Sequence, residues 1–342
     1  MANDVTLSDV AEASGVSVAA ASRALNGREG VRTEVRARVK LVAHAMGYRP
    51  NRAAKNLAGG RTSVIGVLLG TNELRTDIYG ASLLRALSAA TDAHDEGLML
   101  LSDTGSPNEA VKNLLSDGLI DGVVISVVAV GQMWTEELLD ANIPTVLLGA
   151  HPRRHDVPVI DVENAHSTSQ VVGHMLDTGC ERVAALVGKF DRVDMELRLE
   201  GYELAHQERG LTFDRGLRFQ GDFSRRSGYE LTDEVIAAKP DGVFCGNDEM
   251  ALGLHTGLME RGVRVPEDIC LAGFDGTAHL EVAGPNLTTV RQPFTQLAET
   301  AVQSLSALIE RRNPPISQLV TPEIYWGDTT RPRTSTSQKV GV

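Results

Sequence analysis

The sequence has 342 residues, 42% of them hydrophobic and 23% charged, with a formal net charge of -12. That length accommodates two or three domains with a sizeable core, and neither a charged-then-apolar leader nor a bilayer-length apolar run is present, so the expectation is a cytoplasmic protein without a membrane segment. The charge is unevenly divided: residues 1–61 carry ten Lys/Arg against five Asp/Glu, and the other 281 carry 23 against 40. A basic head on an acidic body fits a nucleic-acid-binding head joined to a soluble partner domain, the body repelling DNA so that contact stays at the head.

In chain order, Thr6 is placed to cap a first helix whose third position is Asp9, and that helix stops near Gly15. Ser17 then caps a second helix running through Leu25 to a stop at Asn26-Gly27. Two short helices joined by Ser14-Gly15-Val16 make a helix-turn-helix. Val18 and Ala19 stand in the first turn of the second helix, with Ser22 and Arg23 one turn on. Small side chains there let the helix lie deep in a groove while Arg23 reaches a base edge or phosphate; a simply packed alanine-rich helix is the alternative. Thr33 is expected to cap a third helix, with Val35, Val39, Val42 and Met46 forming its apolar stripe and Gly47 ending it. Pro50 breaks that helix, Asn51 can cap again, and 52–58 is a helix of under two turns before Gly59-Gly60. So short a helix orders only against a partner.

These segments together resemble the LacI/GalR family of bacterial transcription repressors. The resemblance rests on Val5-Thr6-Leu7-Ser8-Asp9-Val10-Ala11, Gly15-Val16-Ser17, Ser22-Arg23-Ala24-Leu25-Asn26, Gly47-Tyr48-Arg49-Pro50-Asn51 and Leu57-Ala58, all in family order and spacing. It implies a homodimer on near-palindromic double-stranded operator DNA. The segment 49–58 would be a hinge helix paired with its dimer mate in the minor groove, Leu57 wedging between base pairs beside Arg52 and Lys55. The candidate DNA contacts are Thr6, Ser17, Val18, Ala19, Ser22, Arg23, Asn26 and Tyr48, followed in the hinge by Asn51, Arg52, Ala54, Lys55 and Leu57.

From Arg61 the pattern changes to apolar runs alternating with helices. Strands are expected over 64–69, 98–101, 122–128, 144–148, 159–162, 182–187, 217–220, 242–245 and 269–274, with two short ones near Leu319 and Ile324. Helices are expected over 78–94, 108–117, 133–140, 165–176, 196–208, 227–238, 249–261 and 295–310. Two successive arrays of this kind argue for an α/β body of two doubly wound parallel-sheet lobes behind an all-α helix-turn-helix headpiece. The resemblance extends to this region as a periplasmic-binding-protein-like fold in which the chain crosses between lobes near 161, 291 and 321. The expected division is a headpiece over 1–48, a hinge and linker over 49–61, an N-terminal lobe over 62–161 plus 292–321, a C-terminal lobe over 162–291 plus 322–329, and a disordered tail over 330–342.

Ligands of such folds sit beyond the carboxyl ends of the strands. The candidates there are Leu74, Asp77 and Tyr79 after the first strand, then Arg192, Asp194 and Arg198, Phe223, Asn247 and Asp275. By resemblance Arg198 would grip hydroxyls, Phe223 would stack on a ring, Asn247 would hydrogen-bond, Asp275 would accept two hydroxyl donors and Gln292 would support from the crossover. Arg198 could equally be a solvated surface residue, Phe223 core, Asp275 a turn cap, and Asp248 reads as a helix N-cap rather than a ligand contact. Many relatives carry Asp-Arg after the strand over 144–148, whereas this chain reads Gly149-Ala150-His151 and so lacks that hydroxyl-binding carboxylate.

The implied effector is a sugar, sugar phosphate or nucleoside, and neither induction nor corepression, nor dimer against tetramer, is decided by the sequence. Neither a cofactor nor a metal is expected: Cys180, Cys245 and Cys270 are widely spaced in apolar settings, as buried reduced thiols are. No catalytic residue is assigned, since GxSxG, the Walker phosphate loop, HExxH and a GxGxxG after a strand are all absent. A cytoplasmic sugar-acting enzyme, a transport-type binding protein and a ligand-independent DNA-binding protein are the opposing classes.

Overall fold

The computed structural model describes residues 5–25, 29–48, 61–70, 78–103, 113–114, 117–126, 143–149, 156–188, 192–277 and 284–332. It divides into two compact units, Met1–Thr62 and Ser63–Val342. The helices expected over 108–117 and 133–140, the hinge helix and His151 lie wholly or mostly outside the described residues.

The first unit holds α1 (Leu7–Ala13), α2 (Val18–Leu25) and α3 (Thr33–Ala45). Thr6 and Asp9 form a reciprocal capping box: Thr6 Oγ1 accepts the Asp9 amide at 3.3 Å and Asp9 accepts the Thr6 amide at 2.7 Å. The Thr6 amide and hydroxyl, both donating to the Asp9 carboxylate, hold it below the usual carboxylate range. Ser17 caps α2 by accepting the Ala20 amide at 3.2 Å. Val10, Ala11, Ala21, Ala24, Val39 and Ala43 close a small core, with Val35, Val42, Met46 and Tyr48 packed against it. Thr33 does not cap α3; it is the first helical residue, and Arg32 before it makes no side-chain cap bond.

The second unit is built on two six-stranded sheets. The first contains β1 (Val64–Gly70), β2 (Gly97–Asp103), β3 (Gly122–Ser126), β4 (Thr145–Leu148), β5 (Val159–Val162) and β11 (Ser317–Val320) in the order β11-β5-β4-β3-β1-β2. The second contains β6 (Val183–Val187), β7 (Arg218–Gln220), β8 (Gly242–Cys245), β9 (Cys270–Asp275), β10 (Thr288–Arg291) and β12 (Glu323–Tyr325) in the order β12-β10-β9-β8-β6-β7. All pairings are parallel except that of β10 with β12. Every residue of β3, β6, β8 and β9 is buried, as parallel strands covered on both faces require.

The chain passes from one sheet to the other after β5, after β10 and after β11. The helices are α4 (Ile78–Ala93), α5 (Asn164–Asp177), α6 (Val193–Gln207), α7 (Arg225–Glu230), α8 (Thr232–Ala238), α9 (Asp248–Glu260) and α10 (Phe294–Ile309).

Four sequence expectations change here. The helix read over 227–238 is two helices, capped by Ser224 and broken at Leu231. Asp248 does not cap α9; Asn247 does, accepting the Met250 amide at 3.0 Å. β10 was not expected as a strand, because Thr-Thr-Val-Arg is short and polar. Thr330 to Pro332, read as the start of a disordered tail, are anchored: the Thr330 hydroxyl meets that of Thr288 at 2.8 Å and Arg331 donates to the Gly179 carbonyl at 3.1 Å.

Candidate functional site

The carboxyl ends of β4, β5, β8 and β9, the start of α6 and the passage through Gln292 converge on one cavity. Tyr79, Arg192, Asp194, Arg198, Phe223, Asn247, Asp275 and Gln292 line it. All eight were singled out in the sequence; Leu74 and Asp77 lie outside the described residues.

Each of these side chains is positioned by its neighbours. Arg198 is buried, at 5% exposure, so it is not a solvated surface arginine. Its Nε donates to Asn164 Oδ1 at 2.9 Å and its Nη1 to the Gly246 carbonyl; the guanidinium lies 3.7 Å from the Phe274 ring centroid. It also stands 3.8 Å from both Asp194 and Asp275. Arg192 grips Asp194 through two bonds, of 3.0 and 2.7 Å, while stacking 4.4 Å from the Phe223 ring centroid. Burial pushes the Asp194 carboxyl up, but Arg192 and Arg198 outweigh it and hold it below its ordinary range.

Phe223 and Asp275 both adopt positive φ, 71° and 108°, an arrangement that non-glycine residues hold only where surroundings impose it and that gathers at ligand sites. Asn247 imposes it on Phe223 by donating to its carbonyl at 2.9 Å. Gly188 leaves the ring its room, since a Cβ there would stand 2.0 Å from it. Gln292 imposes it on Asp275: its amide donates to the Asp275 carbonyl at 3.0 Å and its Nε2 to Oδ1 at 2.8 Å. Asp248, outside the cavity, fixes the following turn by accepting the Gly276 and Thr277 amides at 2.7 and 3.2 Å and the Thr289 hydroxyl at 2.6 Å. Burial lifts its carboxyl to about 7.

Sequence reasoning missed Asp161, Leu148, Ile160 and Leu297, which also line the cavity, as does Gly149, the position read as lacking a hydroxyl-binding carboxylate. Asp161 was within reach of the rule that found the others, being a carboxylate near the carboxyl end of β5. The enclosed space is about 40 Å³, room for one or two waters and far below the several hundred Å³ of a metabolite pocket. What the walls offer is a stacking ring, carboxylate acceptors and an amide, the chemistry that holds a polyhydroxylated ring. No cluster of three metal-ligating side chains occurs among the described residues.

In the first unit, Ser17, Val18, Ala19 and Arg23 form an exposed face of α2, opposite buried Ala21 and Ala24, and Ser22 is half-buried beside them. Thr6 is exposed at the start of α1, and Tyr48 packs half-buried against the headpiece core. Asn26, Asn51, Arg52, Ala54, Lys55 and Leu57 lie outside the described residues.

A helix-turn-helix unit and a two-lobed body with a polar cavity define the class of DNA-binding transcription regulators with a ligand-binding domain. Residues 6–51 match the family of bacterial regulatory proteins of the lacI type, and 172–330 match the periplasmic binding protein-like domain. The chain thus joins a LacI-family helix-turn-helix domain to a periplasmic-binding-protein-like domain.

Among its relatives, catabolite control protein A of Priestia megaterium is 28% identical over 314 residues, covering 90% of this chain and 93% of that protein. The ribose operon repressor of Escherichia coli K12 is 28% identical over 319 residues, covering 92% and 94%. Among solved structures, a lac repressor dimer bound to operator and the anti-inducer ONPF superposes with a TM-score of 0.82 at 27% identity, covering 96% of this chain and 99% of the other. A complex of the regulator CelR with cellobiose gives 0.73 at 26% identity, covering 95% and 99%.

Proposed function

We propose that the protein is a homodimeric repressor whose affinity for a near-palindromic operator is set by a small polyhydroxy molecule bound between the two lobes. The observation that carries this reading is the convergence of Arg198, Phe223, Asn247, Asp275 and Gln292 on one cavity in a chain that also bears a helix-turn-helix. The repressor and sugar-complex relatives support the same conclusion. Ser17, Val18, Ala19, Ser22 and Arg23 read the major groove, Thr6 and Tyr48 flank it, and the hinge residues Asn51 to Leu57 enter the minor groove. The protein acts in the cytoplasm, where its operator is, and carries out no catalysis; among the described residues no helix is long and apolar enough to cross a membrane.

Ligand entry parts the cavity walls, and the passages at 162–164 and 291–294 carry that change between the lobes. Coupling of this kind is reciprocal, so the operator alters ligand affinity by the factor with which the ligand alters operator affinity.

The test is a thermal-shift panel of pentoses, hexoses, their phosphates and nucleosides, followed by titration of each hit against DNA selected from a near-palindromic library. A hit that changes operator affinity at least fivefold supports the reading and gives the sign of control; tight DNA binding untouched by every hit refutes it.

A further inference from the structure

We infer that Asp161 reads the ligand: one of its carboxylate oxygens accepts a hydrogen bond from the bound molecule, and its charge selects an uncharged polyhydroxy ligand over the phosphorylated form of the same molecule. This rests on the cleft-ligand reading above and narrows it.

Asp161 stands in β5, where the chain first leaves the N-terminal sheet. Its Oδ1 is taken twice, by the Val162 amide at 2.7 Å and by Asn164 Nδ2 at 3.1 Å. The carbonyl oxygen of that Asn164 side chain accepts Arg198 Nε at 2.9 Å, so the arginine fixes the amide and the amide fixes the carboxylate. Among the described residues nothing donates to Oδ2. The side chain is half-buried and forms part of the cavity wall. That oxygen is open to the cavity on a carboxylate already fixed through Oδ1, so it is prepared to accept a ligand hydroxyl.

The charges around it decide which ligand. Three carboxylates, Asp161, Asp194 and Asp275, and two guanidiniums line the cavity. Arg192 is committed to Asp194 by its two bonds. Arg198 is committed to Asn164 and the Gly246 carbonyl, and stands between Asp194 and Asp275. No described cation hydrogen-bonds Asp161, and Arg198 reaches it only at longer range. Burial raises its carboxyl to about 6; the Val162 amide and Arg198 oppose this, and Asp194 adds to it. An entering phosphate meets that carboxylate, which no guanidinium bonds directly, in a water-poor space where like charges repel strongly. A hydroxyl in the same place donates a charge-assisted hydrogen bond.

The experiment compares matched pairs on the full-length protein by calorimetry at pH 8: ribose with ribose 5-phosphate, glucose with glucose 6-phosphate, and adenosine with adenosine monophosphate. The same pairs are run on Asp161→Asn, whose fold is checked by its unfolding transition. The expected result is that the pair whose uncharged member binds shows its phosphate at least tenfold weaker, and that Asp161→Asn both weakens the uncharged ligand and narrows the gap to within threefold. A phosphate bound as tightly as its parent, or a gap unchanged by Asp161→Asn, overturns the inference and leaves the cleft-ligand reading standing. Absence of binding by every compound in both proteins overturns the cleft-ligand reading itself, and this inference with it.

Discussion

Asn247 donates through its side-chain amide to the carbonyl of Phe223 at 2.9 Å while its side-chain oxygen accepts the Met250 amide at 3.0 Å. One residue thus caps α9 and holds the stacking ring of the cavity in its left-handed backbone. The two roles separate by substitution. Asn247→Ser keeps a cap oxygen but is too short to donate to the Phe223 carbonyl, so stability should stay within about 2 kcal/mol of the parent while ligand affinity falls at least tenfold. Asn247→Ala loses both, adding a cap cost of about 1 kcal/mol in thermal unfolding. Equal ligand affinity in Asn247→Ser would detach Phe223 positioning from binding.

Arg198 gives the second prediction. It is buried against Phe274 and stands between Asp194 and Asp275, so its removal takes a buried counter-charge from both, Asp194 keeping only Arg192. Breaking a buried pair from one side costs about 3–5 kcal/mol. Arg198→Ala should therefore unfold at clearly lower temperature, as well as lose its response to ligand while still binding operator through the headpiece. A solvent-facing arginine would give the opposite pattern, with unfolding unchanged, and the two are told apart by calorimetric unfolding.

The parallel strands were legible because burial on both faces leaves continuous apolar runs such as Val183–Val187, and the capping box of α1 because its two partners sit three residues apart in the chain. For β10, Asp248 and Asp161 a deciding partner is distant in sequence. β10 is central only because β9 and β12 flank it. Asn247 and Asp248 are adjacent cap-formers, and the choice falls to Asn247 because Gly276, Thr277 and Thr289 draw Asp248 away. Ser224 and Ser227, three apart, both suit a cap, and Ser224 takes it by accepting the Ser227 amide at 3.1 Å. Asp161 gave no motif; its role emerges from Asn164 and Arg198, the latter 37 positions further along the chain.

Asp161 also makes stability depend on pH. Its carboxyl titrates near 6 in the folded protein against 3.8 as the ordinary value. A raised folded value means that stability from this group is present below about 3.8 and is lost as pH rises through 6. Asparagine at this position keeps the acceptor for Val162 and Asn164 and carries no charge. The stability of Asp161→Asn relative to the parent should therefore grow by about 1 kcal/mol between pH 5 and pH 8, read from urea unfolding at both values. A difference that stays flat with pH would place the Asp161 titration outside this range.

In the headpiece, Arg23 and Thr6 separate contact from scaffold. Arg23 is exposed on the face of α2 that carries Ser17, Val18 and Ala19, so Arg23→Ala should leave unfolding within about 0.5 kcal/mol of the parent. Operator affinity in the same variant should drop tenfold or more, since a base or phosphate contact is lost. Thr6→Ala instead removes the oxygen that caps α1 and one of the two donors to Asp9. It should cost about 1 kcal/mol of headpiece stability and weaken DNA binding through fraying of α1. Thr6→Ser, which keeps the hydroxyl, should restore both. Anisotropy titrations on one operator, with thermal unfolding of the same samples, check the pair; a stable Thr6→Ala with normal DNA binding would reduce the capping box to a surface feature.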